Sequence, residues 1–424
     1  MSICLETLLR EHDGVHDYKI NTVKTESYEL FFVHNKLETV RATDTTATTV
    51  TVYVNHDGKL GLASFKVYAS TQEGEAREKI AAAVKKAGMI ANEPYALPEN
   101  ETLTGKIPSN LENESPEQVA AHIADAVFSA DMLDFGSVNA LEIFVNRLTV
   151  SVKNSRGIDK TETKYSAMIE AIPTWNEGVS VELYEAKRIS RFDENEIRRE
   201  IEEKMREVRD RGRAQPPAQK LTCPVRLNTE ELSELFSELV SGLHYQSVYS
   251  HANPHSIGDA VQKDPTGDRI TVTMRGAIEG SVASALFDTD GVTLTDTEVI
   301  SDGTVTAYFG DNRFAQYLGM PVTGNLSCME VKAGTLTDKD LKTTPYFECV
   351  SMSGLQLDVY NDYIGGEVRL AYYHDGDTVI PVTGVSLSGK LSDALASLRL
   401  SQETACAGRY AGPAYGLFRG VEIV

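Results

Sequence analysis

FDTDGVTLTDTEVISDGTVTAYFGDNRFAQYLGMPVTGN, residues 287–325, is the stretch whose reading decides the fold. Asp290-Gly291 and Asp302-Gly303 are turn pairs set between β-rich runs, and Asp375-Gly376 repeats the signal further on. An Asp-Gly pair supplies the positive-φ positions of a tight hairpin, so the pattern predicts antiparallel hairpins. The region from Cys223 onward therefore reads as strand-rich, opened by one helix. That helix spans Asn228 to Leu243, where Leu232, Leu235, Phe236, Leu239, Val240 and Leu243 repeat at i, i+3, i+4, i+7. Asn228 and Glu231 are spaced as a loose capping box.

Working outward to the N-terminus, Tyr28–Val33 and Leu37–Arg41 read as strands around a turn at His34-Asn35-Lys36. Thr49–Val54 and Leu60–Val67 flank the hairpin signal Asn55-His56-Asp57-Gly58. Glu73–Ala87 has helical periodicity. A connector rich in Pro, Asn and Glu follows, over residues 92–114. Ser115 and Pro116 then suit the N-cap and first turn of a helix. Strands are predicted at Leu141–Val145, Leu148–Lys153, Lys164–Ile172 and Val179–Ala186, with a turn at Asn154-Ser155-Arg156-Gly157. A charged helix from Glu194 to about Asp210 follows, and Arg213–Ala218 reads as a linker. The fold class is α+β: an N-terminal antiparallel sheet with packed helices, then a strand-rich antiparallel β domain. The expected domains are 1–95, 115–212 and 222–424.

Composition narrows the function. The formal net charge of −21 argues against anionic membranes, and the one basic-looking stretch, Arg188–Lys220, holds nearly as many acids as bases and reads as a solvated helix face, so direct nucleic-acid binding is not expected. No apolar run is long enough to span a bilayer, and the first residues carry no secretory pattern, so the expected compartment is the cytoplasm. The five cysteines are dispersed and odd in number, which fits reduced thiols. No Gly-x-Ser-x-Gly elbow or Walker-type phosphate loop is present.

The quoted stretch resembles the TldD/PmbA family: an acidic Phe-Asp-x-x-Gly turn, a strand, an Asp-Gly hairpin, a tyrosine strand and a Leu-Gly…Thr-Gly-Asn segment. Gly365–Leu391 resembles the family's later hairpin, with Pro381-Val382-Thr383 and Ser388-Gly389-Lys390-Leu391. Gly61-Leu62-Ala63-Ser64 and Asn154-Ser155-Arg156-Gly157 are similar to its first two domains. The resemblance covers nearly the whole chain. It implies a cytosolic peptidase of paired subunits acting on unstructured peptides. In the zinc-bearing, TldD-like subunit, His-Glu-x-x-x-His lies on the first helix of the last domain and a late cysteine completes the site. An older family label is modulator of DNA gyrase.

Set against that motif, Ser237 and Gly242 occupy the histidine positions and Glu238 the glutamate position. No His-Glu pair exists anywhere in the chain. Cys406 falls where the third ligand would be. Taken alone, Glu238 is an ordinary polar helix residue and Cys406 an ordinary structural thiol. The resemblance thus points to the TldE/PmbA-like branch, with no metal or cofactor expected in this chain and zinc in a TldD-like partner. His244, His251 and His255 cluster, but Asn253-Pro254 breaks the segment into a turn. His12 and His16, beside Asp13 and Asp17, lie in a loop, and His374-Asp375 reads as a solvated hairpin turn. Tyr360, Tyr363, Tyr372 and Tyr373 are candidates to line a groove for an extended peptide paired to a strand edge, although such tyrosines also serve as cross-strand packing.

The leading expectation is an accessory, non-zinc subunit of a TldD/TldE-like metallopeptidase, partnered by a TldD-like paralogue or a second copy of itself. Whether the chain is itself an enzyme stays open. The alternatives are a peptide- or protein-binding homodimer without activity, or a peptidase using Glu238 and an unrecognised metal site.

Overall fold

Long strands dominate the first half of the chain. The structure, a computed structural model, describes residues 4–424. After a short helix α1 (Leu5–Glu11), β1 (Asp17–Val33) and β2 (Lys36–His56) form one extended hairpin, and β3 (Lys59–Val67) returns along β2. Helix α2 (Glu73–Ala87) follows, then β4 (Thr102–Lys106) and α3 (Pro116–Ser129). Next come β5 (Gly136–Asn154), β6 (Asp159–Glu177), β7 (Val179–Glu182), β8 (Glu185–Ile189) and α4 (Glu194–Arg213). The sheet order is β3-β2-β1-β5-β6-β4, with β7 and β8 also paired to β6, and it curls into a half-barrel.

The strands run well beyond the apolar alternation that announces them. Thr22–Tyr28 and Arg41–Thr48 are polar, yet they pair residue for residue. β-branched threonines suit a pleated surface whether or not it is buried. The sheet also crosses the expected division between residues 95 and 115. β1 pairs with β5 from Lys19↔Asn154 to Val33↔Ala140, so both flanking segments share one sheet.

Helices cover one face of it. Ala76, Ile80 and Ala83 of α2 pack on Val50, Val52 and Tyr18. Ile123 and Val127 of α3, with Ile197, Ile201 and Met205 of α4, pack on Leu141, Ile143 and Ile169. Each buried Val, Leu, Ile or Met among them contributes about 1.5–3 kcal/mol by leaving water. Ser115 caps α3 as read from sequence: its hydroxyl accepts from the Gln118 N–H at 3.3 Å, and Gln118 returns the bond at 3.1 Å. One strand pair, β4 with β6, is parallel.

The second half holds two sheets, of six and nine strands. After β9 (Val225–Asn228), helix α5 (Thr229–Ser241) places Leu232, Leu235, Phe236, Leu239 and Val240 in the core they share. The expected capping box at its start is incomplete. Asn228 turns its amide to the Cys349 carbonyl at 2.8 Å and caps nothing. The hairpin at Asp302-Gly303 forms as predicted, whereas in the later one Asp375 still pairs with Thr378 and the turn is Gly376-Asp377. Asp290-Gly291 instead closes a small loop by a bridge from Phe287 to Thr293. Two pairings are parallel, Phe347 with Val225 and Met329 with Tyr410.

The loop at Asp290 joins the halves. Asp288 is buried, and its carboxylate accepts from the N–H groups of Asp290 at 2.8 Å, Val292 at 3.0 Å and Asn325 at 3.0 Å. The loop so shaped reaches the N-terminal sheet. Lys19 pairs with Asp290, and the wholly buried Lys160 donates to Thr293 at 2.7 Å while pairing with Glu101 at 2.7 Å. Glu162 accepts from the Leu286 N–H at 2.7 Å. Replacing Asp288→Ala leaves three amides without their acceptor. We expect a loss of about 3 kcal/mol in urea denaturation, against a smaller loss for Asp288→Asn, which keeps one acceptor oxygen. A loss under about 1 kcal/mol for the alanine variant would show that the loop is held otherwise.

Candidate functional site

Helix α5 is the element on which the family pattern puts the zinc motif. Ser237 and Glu238 lie half-buried on it, while Gly242 is buried at its C-cap. A Cβ at Gly242 would lie 2.5 Å from Cδ of Pro254, closer than atoms can pack. The turn after α5 therefore folds onto the space a histidine side chain would need. The donors present are a hydroxyl, a carboxylate and a residue without a side chain, and they do not fit a zinc site. Cys406 lies on a C-terminal strand, Thr404–Ala407, and is exposed.

The other histidines serve locally. His244 caps the short helix Tyr245–Tyr249, accepting from the Gln246 N–H at 3.2 Å, and its ring meets Phe309 edge-on. His251 sits in a positive-φ turn, and burial holds the His255 pKa below its ordinary value. His12 accepts from the Gly14 N–H. His374 differs from its expected place. It lies within the strand Tyr363–Asp375 and not in solvent, its Nε2 is 2.7 Å from Glu348, and its ring stacks on Tyr346 at 4.3 Å. The apolar strand opposite, Tyr346–Met352, supplies that cover.

The tyrosines do not line one groove. Tyr363 and Tyr372 stand at opposite ends of the same strand, nine residues and so roughly 30 Å apart. Tyr360 is 68% exposed and donates to the Ala252 carbonyl. Tyr373 packs partly against the core. Tyr372 alone of the four lines the cleft described next, and its hydroxyl donates to Asp210 at 2.7 Å.

A cleft of about 560 Å3 opens where α4 crosses the C-terminal half. Lys204 and Glu207 of α4, Arg226 of β9, Glu230 and Glu231 of α5, Glu348, Tyr372 and Cys406 all border it. Lys204 is held 3.1 Å from Glu185 and 3.4 Å from Glu207, and Arg226 is held 3.0 Å from Glu348 and lies over the Tyr415 ring. Glu231 has no such cation. It is 7% exposed, its Oε2 meets no donor, and burial pushes its pKa up to about 7. Sequence reading passed over this cleft because α4 looks like a solvated charged helix. Glu207 gives no sign of its burial in the helical pattern, because it lies two residues from Met205, to the side of the stripe of Ile197, Ile201, Met205 and Val208 that packs inward.

The raised Glu231 pKa has a sign. The folded state keeps a proton that the unfolded chain loses near pH 4.5, so stability falls as pH rises from about 4.5 to about 7 and stays low above that. The drop is on the order of 3 kcal/mol. Glu231→Gln should remove it, giving a flatter urea-denaturation profile from pH 4 to pH 8 and a more stable protein at pH 8. An unchanged profile would place the titration elsewhere.

Residues 220–423, which contain α5 and most of the cleft, match the family model described as the PmbA/TldA metallopeptidase C-terminal domain. No curated protein matches the sequence. Among solved structures, TldE from Thermococcus kodakarensis is similar over 100% of both chains, with a TM-score of 0.81 and 17% identity. A protein from Bacteroides thetaiotaomicron, named as a modulator of DNA gyrase, gives a TM-score of 0.80 and 14% identity over 99% of this chain and 97% of its own. One of the same description from Thermotoga maritima gives 0.76 and 14% over 99% and 98%. At these identities the likeness is one of fold, and it spans the two halves together. Residues 220–423 thus belong to the PmbA/TldA metallopeptidase C-terminal domain family, and the chain as a whole shares its fold with TldE and with the two proteins named as modulators of DNA gyrase.

Proposed function

We propose that this chain is an accessory, TldE/PmbA-like subunit of a cytoplasmic metallopeptidase that acts on unstructured peptides, and that zinc is carried by a TldD-like partner. The observation that carries the reading is the state of α5. Ser237 and Gly242 stand at the two histidine positions, and Pro254 is packed onto Gly242. A zinc peptidase needs three protein ligands, an open position for water and a nearby carboxylate. Glu238 could serve as such a carboxylate, but Ser237 and Gly242 supply no imidazole to hold the metal whose water it would act on. The role left to this chain is to build one side of a shared chamber and to help hold an extended peptide, for which open strand edges supply main-chain hydrogen bonds. Tyr372 is the tyrosine retained as a peptide contact, because it borders the cleft.

The test is metal analysis of the purified full-length chain together with cleavage of an unstructured peptide, with and without a chelator. The expected result is neither zinc nor cleavage from the chain alone, and chelator-sensitive cleavage on adding a partner that bears His-Glu-x-x-x-His. One zinc per chain with chelator-sensitive cleavage by the chain alone would overturn the proposal in favour of an unrecognised metal site. A companion variant, Ser237→His with Gly242→His, restores the motif in sequence only. It should gain no stoichiometric zinc and lose about 1–3 kcal/mol of stability through the contact with Pro254. Tight zinc binding by that variant would show that the turn yields readily.

A further inference from the structure

The face of the long sheet turned away from its helices holds a groove of about 500 Å3. Strand alternation decides what lines it. Leu141, Ile143 and Ile169 meet α3 and α4 on one face, so Phe144, Asn146, Ser166 and Met168 point to the other, and all four border the groove. The register sets them in rows across the strands. Ser27 of β1 lies opposite Asn146 of β5, which lies opposite Ser166 of β6. In the next row Phe144 lies opposite Met168, and Met168 opposite Arg188 of β8, which also borders the groove. Directly opposed residues stand roughly 5 Å apart and diagonal ones roughly 7–8 Å. Arg188 and Ser166 are diagonal neighbours, and Asn146 is the next residue across from Ser166.

Two features set this groove apart from a wetted sheet face. The first is its charge. Lys164 is committed, 3.1 Å from Glu162 and donating to the Ser284 carbonyl at 3.1 Å, and Glu29 is held by Arg41. Of the cations around Arg188 in sequence, Lys187 pairs with Glu196 and Glu200, and Arg191 with Glu279. Arg188 is exposed and, among the described residues, enters no ion pair and donates no hydrogen bond. The second is Asn146. Asparagine is depleted in strands, yet this one stands half-buried in the middle of β5, and its amide has only a 3.4 Å contact with the Phe144 carbonyl of its own strand. A guanidinium presents paired N–H donors that match the two oxygens of a carboxylate. A serine hydroxyl donates one bond more, and an asparagine amide both donates and accepts, as a peptide unit requires. A phosphate, with up to two negative charges, would leave one unmet beside a single unpaired cation.

We propose that this groove binds a peptide by a carboxylate, held by Arg188 and Ser166, with Asn146 on the adjoining peptide unit and Phe144 and Met168 against its side chain. The proposal rests on the peptide-binding reading and gives the peptide a charged anchor, on the sheet face opposite to α4. The carboxylate belongs either to a C-terminus or to an aspartate or glutamate side chain, and the chemistry at Arg188 is the same for both.

Calorimetric titration of the full-length chain with three probes separates the cases: N-acetyl-dialanyl-leucine with a free carboxyl terminus, N-acetyl-alanyl-glutamyl-leucine amide, and the neutral N-acetyl-dialanyl-leucine amide. At least one anionic probe should bind about ten-fold or more tightly than the neutral one, and whichever it is identifies the source of the carboxylate. Arg188→Gln should remove that preference, and circular dichroism should show the variant folded, since Arg188 has no ion pair to lose. Arg191→Gln takes away the same charge three residues further on and should keep the preference. If the neutral probe binds as well as the anionic ones, if the preference survives Arg188→Gln, or if Arg191→Gln abolishes it equally, the carboxylate site is overturned while peptide binding stands. If none of the three binds, the peptide-binding reading falls and this site with it.

Discussion

The Asp288 carboxylate sets the relation between the two halves of this chain. It is buried, and it accepts from three backbone amides that would otherwise be unmet, two within its own loop and one at Asn325. Burial and the neighbouring Asp290 raise its pKa, while the three amides act the other way. The loop shaped in this way presents Asp290 to Lys19 and Thr293 to Lys160. Those contacts cross from the C-terminal half to the long sheet. The cleft beside α4 depends on the same registration, since α4 packs on the N-terminal sheet while β9 and α5 belong to the other side.

This explains why residues 287–325 read so distinctively. The Phe-Asp-x-x-Gly turn at one end and the Thr-Gly-Asn segment at the other are hydrogen-bonded to each other through Asp288 and Asn325. Gly324, at φ +77°, holds the left-handed conformation that favours glycine, with the Leu294 side chain packed against it. A motif spread over that many residues is one local structure in space.

The local elements were legible because their causes are local. Glu73–Ala87 was read to its observed ends, and Ser115 caps its helix as expected. Hairpin turns at Asp57-Gly58 and Asp302-Gly303 form where positive φ was anticipated. Strand length was not legible, since threonine-rich segments pair without an apolar alternation to mark them. The joining of β1 to β5 and the parallel pairs depend on contacts far apart in sequence. So do the partial cover over His374, which requires Tyr346 and Glu348 on another strand, and the cleft, whose walls come from α4, β9 and α5. Of the candidate site, sequence identified α5 and the residues at the motif positions. It could not show that Pro254 fills the space beside Gly242, nor that Glu230 and Glu231, at the other end of that helix, border the cleft.

The pairing of β1 with β5 also governs how the chain reaches this state. The β1–β2 and β5–β6 hairpins join neighbours in sequence and can form quickly, whereas Lys19 meets Asn154 only after α2, the connector and α3 have been looped out. Closing a loop of that length draws on chain entropy before any contact repays it, and folds dominated by such pairings are slow. Until the closure, both hairpins hold long unpaired edges, the form in which strands join wrong partners. The acidic surface of a chain with net charge −21 opposes those encounters by mutual repulsion. The negative charge thus protects the protein while its central strand pair is still open.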